Sequence, residues 1–254
     1  MLAQERQGII LNLLHEQEVV KVSELCDRFN VSVETIRRDL DYLSKQGKLK
    51  RVYGGAVMVE KAATEPAYNY RFIKNESKKR KIGKETSKLI ANGDTLIIDL
   101  GTTTLEVAKH LKHKKNLTVI TNSLYIAREL VDIPENRVIL IGGNLRAGEL
   151  TTSGIFVEEI LKSFNVDKVI IGVGGITIEN GISDYHLDEA RARKIMTTRG
   201  KHVIAVADHS KFDVEALVNI CPIEEIDTLV TDDKVPSHII NQYKNRNLNV
   251  IIAD

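Results

Sequence analysis

The chain has 254 residues, of which 43% are hydrophobic and 28% are charged, a composition typical of folded globular proteins and unlike that of disordered or fibrous ones. Its 36 basic and 35 acidic side chains give a net charge of +1, so any nucleic-acid-binding surface must come from local clustering of charge. The two cysteines, Cys26 and Cys221, form no CxxC or CxxH unit, which argues against a disulfide framework and a structural zinc site.

Residues 1–57 predict three short helices followed by a β-hairpin. The first residues, MLAQERQ, carry charges and no long apolar run, so we expect no signal peptide and a cytoplasmic protein. Ser23 and Ser32 are expected to cap the second and third helices, and Gly47 to end the third. The glycine pair at 54–55 divides the β-prone residues that follow into a hairpin. The helical period is set by Ile9, Ile10, Leu13 and Leu14 in the first helix and by Ile36, Leu40 and Leu43 in the third.

This order of elements is that of a winged helix-turn-helix, in which the third helix reads DNA. Side chains on its outward face and in its first turns would meet base edges in the major groove. Between Arg37 and Gly54, six basic residues against two acidic ones give a local charge of +4, the clustering that DNA binding requires. An isolated Arg-Arg pair is more often a solvated helix surface, but this setting favours DNA contact. The candidate DNA-binding residues are Ser32, Glu34, Thr35, Arg37, Arg38, Lys45, Lys48, Lys50, Arg51 and Tyr53.

Residues 58–81 are predicted to be a basic linker. They show little hydrophobic periodicity, include Pro66, and carry seven basic residues against three acidic ones, a local charge of +4. A solvated tether is the favoured interpretation. A secondary contact with DNA is the alternative.

Residues 82–254 predict a second domain of the α/β class, a Rossmann-like and mostly parallel sheet. Short β-branched runs alternate with amphipathic stretches, the pattern of strands buried between helices on both faces. The longest apolar runs are far too short to cross a membrane, so we expect no membrane partner. The predicted strands are 95–99, 117–121, 138–142, 169–173, 203–207, 228–232 and 250–254.

Polar or glycine-rich segments follow five of these strands. In open α/β sheets, ligands bind at the carboxyl ends of the strands, and glycine, hydroxyl groups and helix N-terminal amides there can hold an anion. A lysine in the last of these loops would neutralise a phosphate as a point charge. For each loop taken singly, ordinary turn chemistry is the alternative. The candidate effector-binding residues are Asp99, Gly101, Thr102, Thr103, Thr104, Asn122, Gly142, Gly143, Gly174, Asp184, Glu189 and Lys211.

An acidic patch with one histidine is formed by Asp184, His186, Asp188 and Glu189. In an enzyme such residues could move protons between sugar carbons. The alternative is a capped helix start, with Asp184 or Ser183 as cap and Glu189 in the first turn. We assign no catalytic residue, no metal ligand and no cofactor.

The stretch SVETIRRDLDYLSKQGKLKRVYGGA, residues 32–56, together with Arg6, strongly resembles the DNA-binding domain of the DeoR family of bacterial transcriptional regulators. The resemblance continues through the segments DLGTTT, TNS, the glycine pairs at 142–143 and 174–175, ISDYHLDEA and DHSKF, and so covers nearly the whole chain. It implies a winged helix-turn-helix and an effector domain similar in fold to ribose-5-phosphate isomerase and glucosamine-6-phosphate deaminase. It also implies a sensor for a phosphorylated sugar.

The favoured function is a sequence-specific transcriptional regulator of a sugar-metabolism operon, with a repressor preferred over an activator. Its expected partners are double-stranded operator DNA, a phosphorylated sugar and further copies of itself in a dimer or tetramer, because one winged helix reads only a short site. One alternative is an active sugar-phosphate isomerase or deaminase with an added DNA-binding domain, although an enzyme has no use for a basic winged helix. Another is a nucleoid-type DNA binder without an effector.

Overall fold

The computed structural model describes residues 1–17, 19–58 and 65–254, and the chain divides into two compact units, Met1–Thr64 and Glu65–Asp254. The elements of the first unit are α1 (Ala3–Gln17), β1 (Val19–Lys21), α2 (Val22–Phe29), α3 (Val33–Lys45), β2 (Leu49–Val52) and β3 (Gly55–Met58). The helices of the second unit are α4 (Tyr68–Ile73), α5 (Glu76–Lys88), α6 (Thr102–His110), α7 (Leu124–Val131), α8 (Ile155–Leu161), α9 (Leu187–Thr197) and α10 (Ser237–Lys244).

The second unit contains one large sheet and two small ones. The strands of the large sheet are β4 (Thr95–Ile98), β5 (Thr118–Thr121), β6 (Arg137–Leu140), β9 (Val166–Gly172), β12 (Gly200–Val206), β14 (Thr228–Asp232) and β15 (Asn249–Ala253). The small sheets, which the sequence did not predict, consist of β7 (Asn144–Arg146) with β8 (Thr151–Ser153), and of β10 (Gly175–Thr177), β11 (Gly181–Asp184) and β13 (Val218–Cys221).

The first unit has the predicted three helices and hairpin, with β1 as an additional strand. The three strands pair antiparallel in the order β1-β3-β2. Side chains from all three helices form one core, in which Ile10, Leu14, Ile36 and Leu40 are fully buried. These are residues of the stripes that the helical period predicted, so local sequence was sufficient to identify this core.

The predicted cap of the second helix is wrong. The N-cap of α2 is Lys21, in an extended conformation and without a side-chain cap hydrogen bond, and Ser23 is the second residue inside the helix. The reason is tertiary. Pairing with β3 keeps the chain extended as far as Lys21, and the helix begins at the next residue, two residues before the start that a cap at Ser23 would give. The cap of α3 by Ser32 is confirmed, because its hydroxyl accepts a hydrogen bond from the Thr35 amide.

The large sheet contains all seven predicted strands, every neighbouring pair parallel, in the order β15-β14-β12-β9-β4-β5-β6. Alternate strand residues belong to two cores. Helices α5, α6 and α7 contribute to one core, and α8, α9 and α10 to the other. Both faces are therefore covered, as the continuous β-branched runs predicted.

The strand order changes direction at β4 and β9. From β4 the chain proceeds outward to β5 and β6, and it then returns to add β9, β12, β14 and β15 on the other side of β4. Such a switch point opens a crevice at the carboxyl ends of the two central strands, the usual ligand position in this class of fold.

The predicted linker over 58–81 is wrong for its residues 65–81, which belong to the second unit as α4 and the first part of α5. Tyr68 is buried and stacks on Tyr125 at 4.9 Å between ring centroids. Lys79 is also buried and donates to the Lys74 carbonyl at 2.7 Å, and burial lowers its pKa to about 8. Arg71 and Lys78 pair with Glu149 and Asp233, which lie far away in sequence, so local charge alone could not distinguish this segment from a solvated linker. Residues 59–64 lie outside the described part of the chain.

Within those described ranges, none of the helices has the length and apolarity needed to cross a membrane.

Candidate functional site

The start of α3 places the predicted DNA-contacting side chains on an exposed surface. The hydroxyl groups of Ser32 and Thr35 lie 2.9 Å apart as part of the helix cap, so both side chains also hold the first turn in shape. Arg38 is exposed and lies 3.4 Å from the Glu34 carboxylate one turn earlier. An exposed ion pair of this kind contributes at most about 1 kcal/mol, so Arg38 can leave it to contact DNA.

A buried ion pair that the sequence analysis missed holds α3 against α1. Arg6 Nε donates to Asp39 Oδ2 at 2.6 Å, and Gln7 Nε2 donates to Asp39 Oδ1 at 2.9 Å. Arg6 and Asp39 are both buried. The signal was present in the sequence, since Asp39 lies three residues after the core residue Ile36 and therefore on the inward flank of the helix.

The wing carries exposed positive charge. Lys45, Lys48 and Lys50 are exposed, and Tyr53 is fully exposed at the turn between β2 and β3. Arg51 pairs with Asp41 at 2.5 Å. Because Asp41 is paired and the other acidic residue of this stretch is buried against Arg6, the exposed lysines and arginines are left to dominate the surface potential.

In the second unit, β4 leads through Asp99 and Leu100 into the start of α6. Gly101 is the N-cap of α6, with a φ of 141°, and no side chain in the described residues caps the helix there. Thr104 Oγ1 donates to the Gly101 carbonyl at 2.9 Å, while Thr102 is buried and Thr103 half-buried. The N–H groups of a first helical turn have no acceptor within the helix, so this turn can bind an anion.

Asp99 and Asp184, which the sequence analysis assigned to effector binding, both contact Arg193. Arg193 Nε donates to Asp99 Oδ2 at 2.5 Å, and Arg193 Nη1 pairs with Asp184 Oδ2. All three side chains are buried. Burial raises the pKa of Asp99 despite the opposing guanidinium. Arg193 was not predicted as a site residue, because its partners lie at distant positions in the chain.

A chain of ion pairs joins Glu189 to the beginning of the second unit. Arg146 donates to Glu189 Oε1 and to Glu65 Oε2, each at 2.7 Å. Arg71 lies 3.0 Å from Glu65 Oε1 and 2.5 Å from Glu149 Oε1. Burial raises the pKa of Glu189 to about 7 in spite of Arg146. Glu65, Arg71, Arg146 and Glu149 were not predicted as site residues, and no local pattern marks them.

The buried side-chain atoms without a hydrogen-bond partner among the described residues include the acceptors Asn122 Oδ1, Glu149 Oε2 and Glu189 Oε2. The amide group of Asn122 is otherwise held in place, since its Nδ2 donates to the Thr152 carbonyl at 3.1 Å. Buried acceptors without donors are costly, by about 1–3 kcal/mol each.

Two of the four predicted glycines, Gly143 and Gly174, serve packing. A Cβ on Gly143 would lie 2.7 Å from Val157 Cγ2, and one on Gly174 would lie 2.9 Å from Asp184 Cα. Both positions therefore exclude a side chain. Gly142 has open space around it, which leaves room for a ligand.

Lys211 follows β12 and is half-buried, with its Nζ 6.0 Å from the centre of the Tyr185 ring. Burial lowers its pKa, and Asp208 opposes that shift. Asp208 itself accepts hydrogen bonds from Asn75 and Ser210. An electropositive group at this position suits a phosphate.

One further cluster could in principle bind a metal ion. Ligand atoms of Asp208, His209 and Asp232 lie within 4.8 Å of one another. Their oxygens already accept hydrogen bonds from neighbouring groups, including the His209 and Lys234 amides to Asp232. These bonds account for the cluster, and we assign no metal to it.

Comparison with known proteins identifies similar chains. The family described as the DeoR C terminal sensor domain matches residues 74–233, and the DeoR-like helix-turn-helix domain matches residues 6–62. The HTH-type transcriptional regulator GolR of Listeria innocua serovar 6a is 35% identical over 250 residues, 98% of each chain. The glycerol-3-phosphate regulon repressor of Escherichia coli K12 is 34% identical over 236 residues, 93% of each chain. Ribose 5-phosphate isomerase A of Methanocaldococcus jannaschii aligns with a TM-score of 0.40 and 16% identity, over 54% of this chain and 55% of that one.

Proposed function

Because this chain belongs to the DeoR family of transcriptional regulators, we propose that it represses genes of sugar or polyol metabolism and that a phosphorylated sugar or polyol sets its affinity for operator DNA. The family consists of DNA-binding regulators, which decides against an active isomerase or deaminase. A sensor domain over residues 74–233 likewise argues against a nucleoid-type binder without an effector. Action on chromosomal DNA would place the protein in the cytoplasm.

The three unpartnered acceptors carry the proposal for the effector class. Hydroxyl groups of a sugar or polyol would donate to Asn122 Oδ1, Glu149 Oε2 and Glu189 Oε2, satisfying atoms that the described residues leave without a donor. The name of the relative that represses a glycerol-3-phosphate regulon supports a phosphorylated polyol. Gly142, with open space beside it, would allow the ligand to approach the backbone.

The phosphate of this effector would be held by the first turn of α6 and by Lys211. Gly101, Thr102, Thr103 and Thr104 present amide groups at a helix N-terminus, which favours an anion. Lys211 adds a cation from the end of β12, and only β9 lies between β12 and β4 in the sheet. Asp99 and Asp184 would act indirectly, by orienting Arg193 at the switch point.

We expect phosphorylated sugars or polyols, and not their unphosphorylated forms, to raise the melting temperature of the full chain. A ligand at 100 times its dissociation constant adds about 2.7 kcal/mol, or about 5–11 °C for a unit of this size. Lys211→Ala should lose the shift and the response of operator binding, while Lys244→Ala, which removes an exposed lysine from the last turn of α10, should retain both. Equal shifts from a sugar and its phosphate would contradict the phosphate site.

We also propose a homodimer or homotetramer formed through the second unit, since a two-fold pair of winged helices doubles the DNA site. Ile155 and Phe156 on α8 are 60% and 66% exposed, and Leu145 on β7 is 58% exposed, which offers an apolar surface for a second copy. Light scattering at micromolar concentration should show Phe156→Asp as a smaller assembly than the parent. Leu217→Asp, at an equally exposed position, should leave the assembly intact. A monomeric parent that binds its operator tightly would refute this proposal.

A further inference from the structure

Glu65, the first residue of the second unit, occupies the centre of a group of cationic side chains. Its carboxylate side chain is only 9% exposed, and each oxygen contacts a different arginine: Oε1 lies 3.0 Å from Arg71 Nη2, and Oε2 lies 2.7 Å from Arg146 Nη2. Burial by itself would raise the pKa of Glu65, but the two arginines outweigh it and hold the pKa below its ordinary value. The carboxylate is therefore bound as an anion.

The two arginines come from separate elements and keep other partners. Arg71 lies in α4 and also contacts Glu149, and Arg146 ends β7 and also donates to Glu189. If Glu65 moved away, Arg71 Nη2 would keep Glu149 Oε1 and Arg146 Nη1 would keep Glu189 Oε1, and the Nη2 group of each arginine would lose one of its acceptors. Two charged donors converging on one place form a strong site for an anion with several oxygens.

The neighbouring His186 also contacts this group of side chains. Its Nε2 lies 2.7 Å from Arg146 Nη2 and 3.1 Å from Glu65 Oε2. When that nitrogen accepts from Arg146 it cannot donate to Glu65, so the carboxylate is held by the two guanidinium groups.

We propose that Arg71 and Arg146 form an anion site that Glu65 fills in the absence of ligand, and that the effector phosphate, held on its other side by Lys211 and the first turn of α6, competes with Glu65 for it. This inference rests on the proposed function, because it gives the effector phosphate a competitor within the chain. Arg71 and Glu65 both act electrostatically on the pKa of Lys211, which is consistent with one phosphate bound by Lys211 and by this site. A phosphate ester carries about −1.5 to −2 charge and three acceptor oxygens, against a single negative charge on Glu65.

Displacement of Glu65 would release the first residue of the second unit, the point at which the chain arrives from the DNA-binding unit. Through this competition, effector binding would act on the residue at which the chain enters the second unit. By thermodynamic linkage, whatever factor the effector imposes on DNA affinity is imposed by DNA on effector affinity. A purely structural pair, in contrast, would hold α4 in place without competing for anions.

The test is the affinity of the full chain for inorganic phosphate, measured by calorimetry at constant ionic strength. If Glu65 leaves its site open about a tenth of the time, Glu65→Gln should bind phosphate about tenfold more tightly than the parent. Glu76→Gln is the matched control, because it removes one exposed negative charge from the start of α5 and should bind phosphate as the parent does. Glu65→Ala repeats the measurement with the side chain removed.

A second readout is operator affinity without effector. Glu65→Gln should shift it in the same direction as the effector shifts the parent. Unchanged or weaker phosphate binding in both Glu65 variants would overturn the inference. It would also be overturned if a sugar phosphate that binds the parent bound Glu65→Gln with the same affinity. Tighter phosphate binding by Glu65→Gln, with every sugar and polyol phosphate inactive, would support the anion site and refute the proposed effector class.

Discussion

Replacing Arg193 by alanine is expected to destabilise the second unit by about 3–5 kcal/mol, because it leaves two buried carboxylates, Asp99 and Asp184, without their cation. Neither carboxylate can reach water, since both are at most 4% exposed. For a unit of this size the loss corresponds to a fall of about 6–20 °C in melting temperature.

Arg191→Ala is the matched control for this prediction. Arg191 lies in the same helix and carries the same charge, but it is exposed, so its loss should change stability by about 0.5 kcal/mol or less. Adding Asp184→Asn to Arg193→Ala should recover part of the stability, because it removes one of the two unpaired charges. An Arg193→Ala protein that melts like the parent would show that the three groups are not coupled.

The same variant has a pH signature. Burial already raises the pKa of Asp99, and loss of Arg193 would raise it further above the value in the unfolded chain. A carboxyl group whose pKa is higher in the folded than in the unfolded state lowers the free energy of unfolding as the pH rises above the unfolded-state pKa. The unfolded chain then ionises the group easily, whereas the folded chain must keep the proton or bury a charge. The stability difference between parent and Arg193→Ala, measured by denaturant titration, should therefore widen between pH 5 and pH 8.

Asp39→Ala is expected to abolish operator binding by unfolding the first unit, whereas Arg38→Ala, one residue away, should weaken binding in a folded protein. Asp39 is the buried partner of Arg6, and leaving that guanidinium unpaired costs about 3–5 kcal/mol. A domain that ends at Thr64 has little more stability than that to lose. Arg38 is exposed, so its removal should scarcely alter the melting curve.

The DNA-binding readout then separates two roles for Arg38. If it contacts a phosphate, its loss should weaken all sequences alike and lower the salt slope by about 1. If it reads a base, discrimination should fall by about 1–3 kcal/mol at one position of the operator.

The double variant Arg6→Met with Asp39→Leu should fold, because an apolar pair can replace a buried ion pair at little cost. Parent-like operator binding by Asp39→Ala would refute the positioning role of this pair.

Local sequence was sufficient to predict the elements whose cause is itself local. Seven β-branched runs between amphipathic stretches identified the seven strands of the parallel sheet, because the period of hydrophobicity depends only on neighbouring residues. The cap at Ser32 and the core stripe of α3 followed for the same reason. The position of the candidate site was also predictable, since parallel strands align their carboxyl ends at one edge.

Tertiary structure alone decided which charges are paired and which segments are packed. Arg71 and Lys79 lie in a basic stretch that resembles a linker, but Lys79 is buried and the half-buried Arg71 pairs with Glu149, which lies far away in the sequence. Arg193 could not be selected from its helix, because the two carboxylates that it joins lie in β11 and after β4. An ion pair depends on distance in space, and sequence spacing sets that distance only within a helix or turn. The chemistry of the site therefore emerged only with the fold.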